Sequence, residues 1–131
     1  MSARGPAEPH ATVVAALYAA FGADARWHPV AGCPCCVDPA EAQQLGGVPI
    51  QQIATDLLAR YAFKAMSTWG DAEDFKHFLP RILQCVFSSQ AFGANDPELI
   101  LRKIDQAGFS AWPAQQQRAL ADFLRSQHAR I

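Results

Sequence analysis

The chain has 131 residues, of which 50% are hydrophobic and 18% are charged, and its formal net charge at pH 7 is -1. This length suits one domain with one hydrophobic core. The near-neutral charge provides no general attraction to nucleic acid, which disfavours nucleic acid as a partner. No apolar run approaches the roughly 20 residues that a membrane-spanning helix needs, so we expect no membrane partner either.

The N-terminal region predicts a disordered leader followed by a helix. Residues 1–9 contain two prolines and a glycine, whereas residues 10–131 are typical of a single helical domain. Bulky apolar side chains in residues 10–22 share one helical face, as in a packed amphipathic helix, so we expect a cytoplasmic protein. Residues 1–25 also resemble a secretory signal peptide, and a secreted protein is the alternative.

Residues 23–50 predict an irregular segment that contains the cysteine cluster. Seven prolines and glycines leave room for only one short helix, from about Pro39 to Leu45, with Asp38 as its N-cap. A loop of this length in a compact domain is either functional or held in place by something other than a core.

The spacing of apolar residues becomes helical from Ile53 onward. It continues to Trp69, and Gly70 is placed to end this helix in the left-handed conformation. Asp71 predicts the N-cap of the next helix. Within that helix, Pro80 should introduce a kink or a break, because it has no backbone N–H to donate.

Two further helices are predicted in the C-terminal part of the chain. One begins at Pro97, with Asn95 or Asp96 as its N-cap, and ends before Gly108. The last begins at Pro113. No segment alternates between apolar and polar residues as a half-buried strand would. The sequence therefore predicts an all-α fold, a bundle of short antiparallel helix pairs that is loosely solenoid-like.

The Cys33-Pro34-Cys35-Cys36 cluster is the one chemically unusual feature of the sequence. Two thiolates at C-x-x-C spacing can hold one face of a tetrahedral zinc ion. No second C-x-x-C and no pair of histidines follows to complete such a site. The candidate zinc ligands are therefore Cys33, Cys35, Cys36, His28 and His77.

Two other interpretations of the cluster stay open. Cys33 and Cys36 can act as a redox dithiol, because C-x-x-C geometry can lower one thiol pKa and let the second cysteine resolve a mixed disulfide. The βαβ context of thioredoxin-like proteins is missing from the predicted elements. Alternatively, the cysteines are structural thiols that pack in a tight loop or form a local disulfide.

Two carboxylates and a histidine share one face of the predicted helix after Asp71. Glu73 and Asp74 lie four and three residues before His77, a spacing that can hold a metal or form an acid/base pair. Capping and the helix dipole explain the carboxylates without any chemistry, so these three residues are weak acid/base candidates.

Three stretches carry a resemblance to a known family. The first is the C-P-C-C cluster after Gly32, the second is YAFKAMSTWGD from Tyr61 to Asp71, and the third is DFKHFLPR from Asp74 to Arg81. They resemble a family of uncharacterised bacterial proteins over about residues 26–120. The resemblance implies a helical cytosolic protein in which the cysteine loop and the Trp69 to Arg81 region belong together, and it adds no catalytic residue.

These patterns favour a non-enzymatic helical scaffold that binds an unidentified protein partner. In this interpretation the cysteine loop is a structural clip, with zinc as its candidate cofactor. The alternative is a thiol-redox or metal-responsive sensor, in which the same loop changes state. A metal-dependent enzyme that uses Glu73, Asp74 or His77 is the weaker alternative.

Overall fold

A computed structural model describes residues 10–23, 27–88 and 90–129 of the chain. These residues form six α-helices and no strand, which confirms the all-α prediction. The helices are α1 (His10–Phe21), α2 (Pro39–Gly47), α3 (Thr55–Lys64), α4 (Ala72–Val86), α5 (Pro97–Gln106) and α6 (Ala114–Ala129). Two short 3-10 turns span Ile50–Gln52 and Phe109–Ala111. The predicted leader over residues 1–9 lies outside the described residues.

Three helices begin at the N-caps that the sequence predicts. The side chain of Asp38 accepts a hydrogen bond from the backbone of α2, and Asp96 does the same for α5. Asp71 and Asp74 form a reciprocal capping box at the start of α4, so that each carboxylate accepts from the other residue's backbone N–H. Local capping chemistry therefore determines these starts.

Helix α4 lies at the centre of the fold. It contacts α1, α3 and α5, and α1 packs against α6. Phe21 of α1 meets Trp112 edge to face with ring centroids 5.5 Å apart, and Leu17 is fully buried. The predicted solenoid-like arrangement is not confirmed, since in a solenoid each unit contacts only its neighbours in sequence. No helix among the described residues is long and apolar enough to cross a membrane.

The helix predicted from Ile53 to Trp69 is shorter than its apolar spacing suggests. Helix α3 ends at Lys64, and Met66 has a φ of 67° in the left-handed region. The chain then turns back, with the Met66 N–H donating to the Trp69 carbonyl at 3.2 Å. Buried Lys103 donates its ammonium to the Ala65 carbonyl at 3.0 Å. The spacing correctly indicates that Trp69 is buried, but tertiary contacts impose a turn instead of a helix.

Pro80 lies inside α4, and of the two predicted outcomes, a kink or a break, the break does not occur. A proline in a helix interior costs about 3 kcal/mol because one hydrogen bond is lost. Phe78, Leu79 and Ile82 around it are at most 1% exposed. Burial of these large side chains at 1.5–3 kcal/mol each offsets the cost and keeps α4 continuous.

Candidate functional site

The cysteine turn, residues 33–36, is a tight backbone turn at the surface. The N–H groups of Cys36 and Val37 both donate to the Cys33 carbonyl at 2.9 Å. The Cys33 N–H donates outward to the Thr68 carbonyl at 2.8 Å. The cysteine turn is thus hydrogen-bonded to the chain reversal that follows α3.

Several contacts hold this turn in place. The Trp69 indole N–H donates to the Val30 carbonyl at 2.6 Å, and the Lys64 ammonium donates to the Cys36 carbonyl at 2.6 Å. A Cβ added at Gly32 would lie 2.6 Å from Val37 and 2.7 Å from a backbone oxygen, so only glycine fits this close approach. These contacts hold the cysteine turn against the chain reversal between α3 and α4.

The thiols of the turn have unequal environments. Cys33 is partly exposed, Cys35 and Cys36 are exposed, and all three are free thiols. The pKa of Cys33 is lowered, first because its sulfur accepts a hydrogen bond from the Cys35 backbone N–H and next because it accepts one from the Cys36 thiol. The pKa of Cys36 is raised, first by the hydrogen bond that its thiol makes with Cys33. At a given pH, Cys33 therefore carries the larger thiolate fraction of the pair.

Asp74 binds the preceding loop to the start of α4. Its Oδ1 accepts from the Trp27 indole N–H at 2.8 Å and lies 3.2 Å from Nε2 of His28. Its Oδ2 accepts from the Asp71 N–H at 3.0 Å. Three contacts within the fold thus engage the Asp74 carboxylate, whereas Glu73 points into solvent with its side chain 76% exposed.

His77 is buried against aromatic side chains and is only 3% exposed. Its ring stacks on Trp27 with centroids 4.5 Å apart and an interplanar angle of 12°, and Phe78 meets it edge to face. Its Nδ1 has no hydrogen-bond partner among the described residues. Burial lowers the pKa of His77 to about 4, with nearby Asp74 opposing the shift and His28 reinforcing it, so the ring is neutral at pH 7.

The predicted metal ligands lie in two different surroundings. His28 and His77 lie beside Trp27, and His28 also contacts Asp74. The cysteines lie against Thr68 and Lys64. Within the described ranges, no three His, Cys, Asp or Glu side chains form a group that could hold a metal ion. The zinc site therefore stays a prediction. Of its candidate ligands, Cys33, Cys35 and Cys36 lie within four consecutive residues.

Sequence reasoning missed three residues that organise this region. Thr68 provides the acceptor for the cysteine turn, Lys64 holds the Cys36 carbonyl, and Trp27 covers His77. A lysine in the last turn of a helix is expected there for its effect on the helix dipole, so its sequence position does not indicate the contact. Trp27 is recognisable in the sequence as a large aromatic residue beside His28, but its sequence position does not indicate that it stacks on His77.

The chain matches no protein-family model, no curated protein and no solved structure. The resemblance to a bacterial family therefore stays a prediction.

Proposed function

We propose that this protein is a non-enzymatic helical scaffold whose cysteine turn is a thiol-redox sensor. The observation that carries the proposal is a C-x-x-C turn, closed by hydrogen bonds to the Cys33 carbonyl, that places the free thiols of Cys33 and Cys36 within hydrogen-bonding reach of each other. This contact lowers the pKa of Cys33 and raises that of Cys36. A low-pKa thiol with a resolving thiol beside it is the arrangement that thiol–disulfide exchange needs. Because protein contacts already hold the turn, the cysteines are free to change state.

The oxidant in this proposal is a small-molecule disulfide such as glutathione disulfide. The Cys33 thiolate attacks one sulfur of that disulfide, forms a mixed disulfide and expels a thiolate, which takes up a proton. Cys36 then loses its proton to solvent and attacks the Cys33 sulfur, and a second small thiol leaves. The dithiol is oxidised by two electrons, and the small disulfide is reduced to two thiols.

Disulfide formation between Cys33 and Cys36 would affect the neighbouring helices through the contacts of the cysteine turn. Cys33 bonds to Thr68, and Gly32 pairs with Trp69, whose chain reversal separates α3 from α4. Closing the disulfide alters the turn that rests on this reversal. A protein partner that distinguishes the two redox states would therefore bind the surface around the chain reversal between α3 and α4. In this proposal the protein is cytoplasmic, where the dithiol is reduced at rest.

Three variants test the proposal, with Cys35→Ser as the matched control. Cys33→Ser and Cys36→Ser should abolish the internal disulfide after treatment with glutathione disulfide, whereas Cys35→Ser should still form it. Intact mass after alkylation and peptide mapping measure the outcome. If Cys33 and Cys36 stay alkylatable in the wild type, or if Cys35→Ser also loses the disulfide, the proposal is wrong.

A structural zinc clip is the second candidate, favoured by the same backbone N–H groups. Donors that stabilise a Cys33 thiolate also suit a metal thiolate, and exposed Cys35 provides a third sulfur nearby. Metal analysis of protein purified without added metal decides between the two. One equivalent of zinc that is lost in both Cys33→Ser and Cys35→Ser favours the clip.

A further inference from the structure

A surface cavity of about 480 Å³ lies between α3 and the loop that precedes α5. One wall consists of Ala59, Arg60, Phe63 and Lys64 on α3, and the other consists of residues 91–94. Small-molecule sites in proteins commonly have volumes of roughly 300–1,000 Å³. The cavity does not include the cysteine turn, although Lys64 contacts both.

The walls of the cavity are largely apolar. Phe63 is 51% exposed and is one of two large apolar side chains that the described residues leave exposed, Leu101 being the other. Ala91 and Ala94 add exposed apolar surface on the opposite side, where Phe92 borders the cavity with only 3% of its surface exposed. An aromatic side chain left half-exposed beside a concave apolar surface is typical of a ligand-binding groove.

The loop wall is fixed in place before any ligand arrives. The Asn95 side-chain amide donates to the carbonyls of Ala59 and Phe92, both at 3.0 Å. Gly93 has a φ of 59°, and a Cβ there would lie 3.0 Å from the Ala59 side chain. A preformed cavity of this kind does not lose binding free energy to ordering the loop.

The charges at the cavity favour an anion. Its lining includes Arg60 and Lys64 but only one carboxylate, Asp56. Arg60 already pairs with Glu41 and lies 3.7 Å from Asp56. Lys64 forms no ion pair with a carboxylate among the described residues. Its ammonium has three donors, and one of them binds the Cys36 carbonyl.

From this arrangement we propose that the cavity binds a small carboxylate with an apolar body. The apolar body lies between Phe63 and the wall formed by residues 91–94, and the carboxylate lies near Lys64, at the end of α3. The lysine uses one of its remaining N–H groups for this contact. Because Lys64 also holds the cysteine turn, the ligand and the turn share one side chain.

Octanoate and octylammonium are matched probes for the proposal, since they differ mainly in the sign of the head-group charge. Titration followed by amide chemical shifts should place octanoate at residues 91–94, with octylammonium binding about tenfold more weakly. Phe63→Ala and Lys64→Met should each weaken octanoate by about five- to tenfold. Leu101→Ala, which removes the other exposed apolar side chain, should leave the affinity unchanged.

Two controls keep the result interpretable. Far-UV circular dichroism identifies any variant that fails to fold, and the comparison of the two probes on the wild type needs no variant at all. A variant lacking Cys33 and Cys36 should bind octanoate as the wild type does, which separates this inference from the redox proposal. Equal binding of the two probes, or shifts away from residues 91–94, would overturn it.

Discussion

At the residue scale, the two thiols of one C-x-x-C pair differ because of where the backbone N–H groups point. The turn directs the Cys35 N–H at the Cys33 sulfur, and the Cys36 thiol adds a second hydrogen bond. These contacts stabilise the Cys33 thiolate and disfavour ionisation of Cys36. The spacing in the sequence predicts a pair, but only the turn determines which member attacks.

This asymmetry predicts the pH profile of alkylation at Cys33. In a Cys35→Ser background, which keeps the backbone N–H, the alkylation rate of Cys33 should reach half its maximum below the ordinary thiol pKa of about 8.5. Adding Cys36→Ala should raise that midpoint, because one hydrogen bond to the thiolate is lost. Mass spectrometry of the labelled peptide measures the rate. A midpoint that does not move, or that starts at the ordinary value, contradicts the assigned contacts.

His77 predicts a pH dependence of stability. Its pKa of about 4 in the fold lies below the ordinary value of 6.5, so the unfolded chain takes up a proton first as the pH falls. Stability is therefore lost from about pH 6.5 towards pH 4, by up to about 3 kcal/mol. His77→Phe keeps the stack on Trp27 and removes the titrating ring, so it should flatten this part of the profile.

Urea unfolding at several pH values measures the difference between the wild type and His77→Phe. The comparison isolates His77 because Asp74 and His28, which lie beside it, are present in both proteins. An unchanged slope between pH 6.5 and pH 4 would show that the ring is not held neutral by burial.

At the element scale, the start of α4 joins the helix to the loop that carries the cysteines. Asp74 is 6% exposed and accepts from Trp27 as well as from the Asp71 backbone. Asp74→Ala would leave a partly buried indole N–H without its acceptor and remove half of the capping box. We expect a loss of about 2–3 kcal/mol in the free energy of unfolding.

Glu73→Ala is the matched control for that prediction, since this carboxylate lies in the same helical turn but is largely exposed. Its contact with Lys76 is 3.9 Å long, so the change should stay within about 0.5 kcal/mol. Chemical denaturation measures both variants. Equal losses would mean that the network around Asp74 contributes little.

The elements also indicate how far the sequence predicts this structure. The caps at Asp38, Asp71 and Asp96 involve contacts within three residues. The sequence predicts the first two, and for the third it leaves Asn95 and Asp96 as alternatives. The end of α3 depends on contacts with residues far away in sequence, such as the ammonium of Lys103, and the apolar spacing there is wrong by five residues. The cysteine turn is similar, because its acceptor on Thr68 is brought close only by folding.

At the scale of the whole molecule, the packing of α1 against α4 and α6 joins the two ends of the described chain. Leu17 is fully buried there, so Leu17→Ala should cost about 2–5 kcal/mol. Leu101→Ala, at a 40% exposed position, is the control and should cost far less. Tryptophan fluorescence and far-UV circular dichroism should give one coincident unfolding transition, at a lower denaturant concentration for Leu17→Ala. Two separate transitions would mean that the two ends fold independently.

A redox titration tests most directly whether the scaffold carries a reversible dithiol. Protein is equilibrated in buffers of reduced and oxidised glutathione, the free thiols are alkylated, and intact mass counts them. We predict one two-electron transition in which two of the four thiols are lost, with a disulfide mapped to Cys33 and Cys36 and no loss of helical signal. Four alkylatable thiols at every glutathione ratio would contradict the claim.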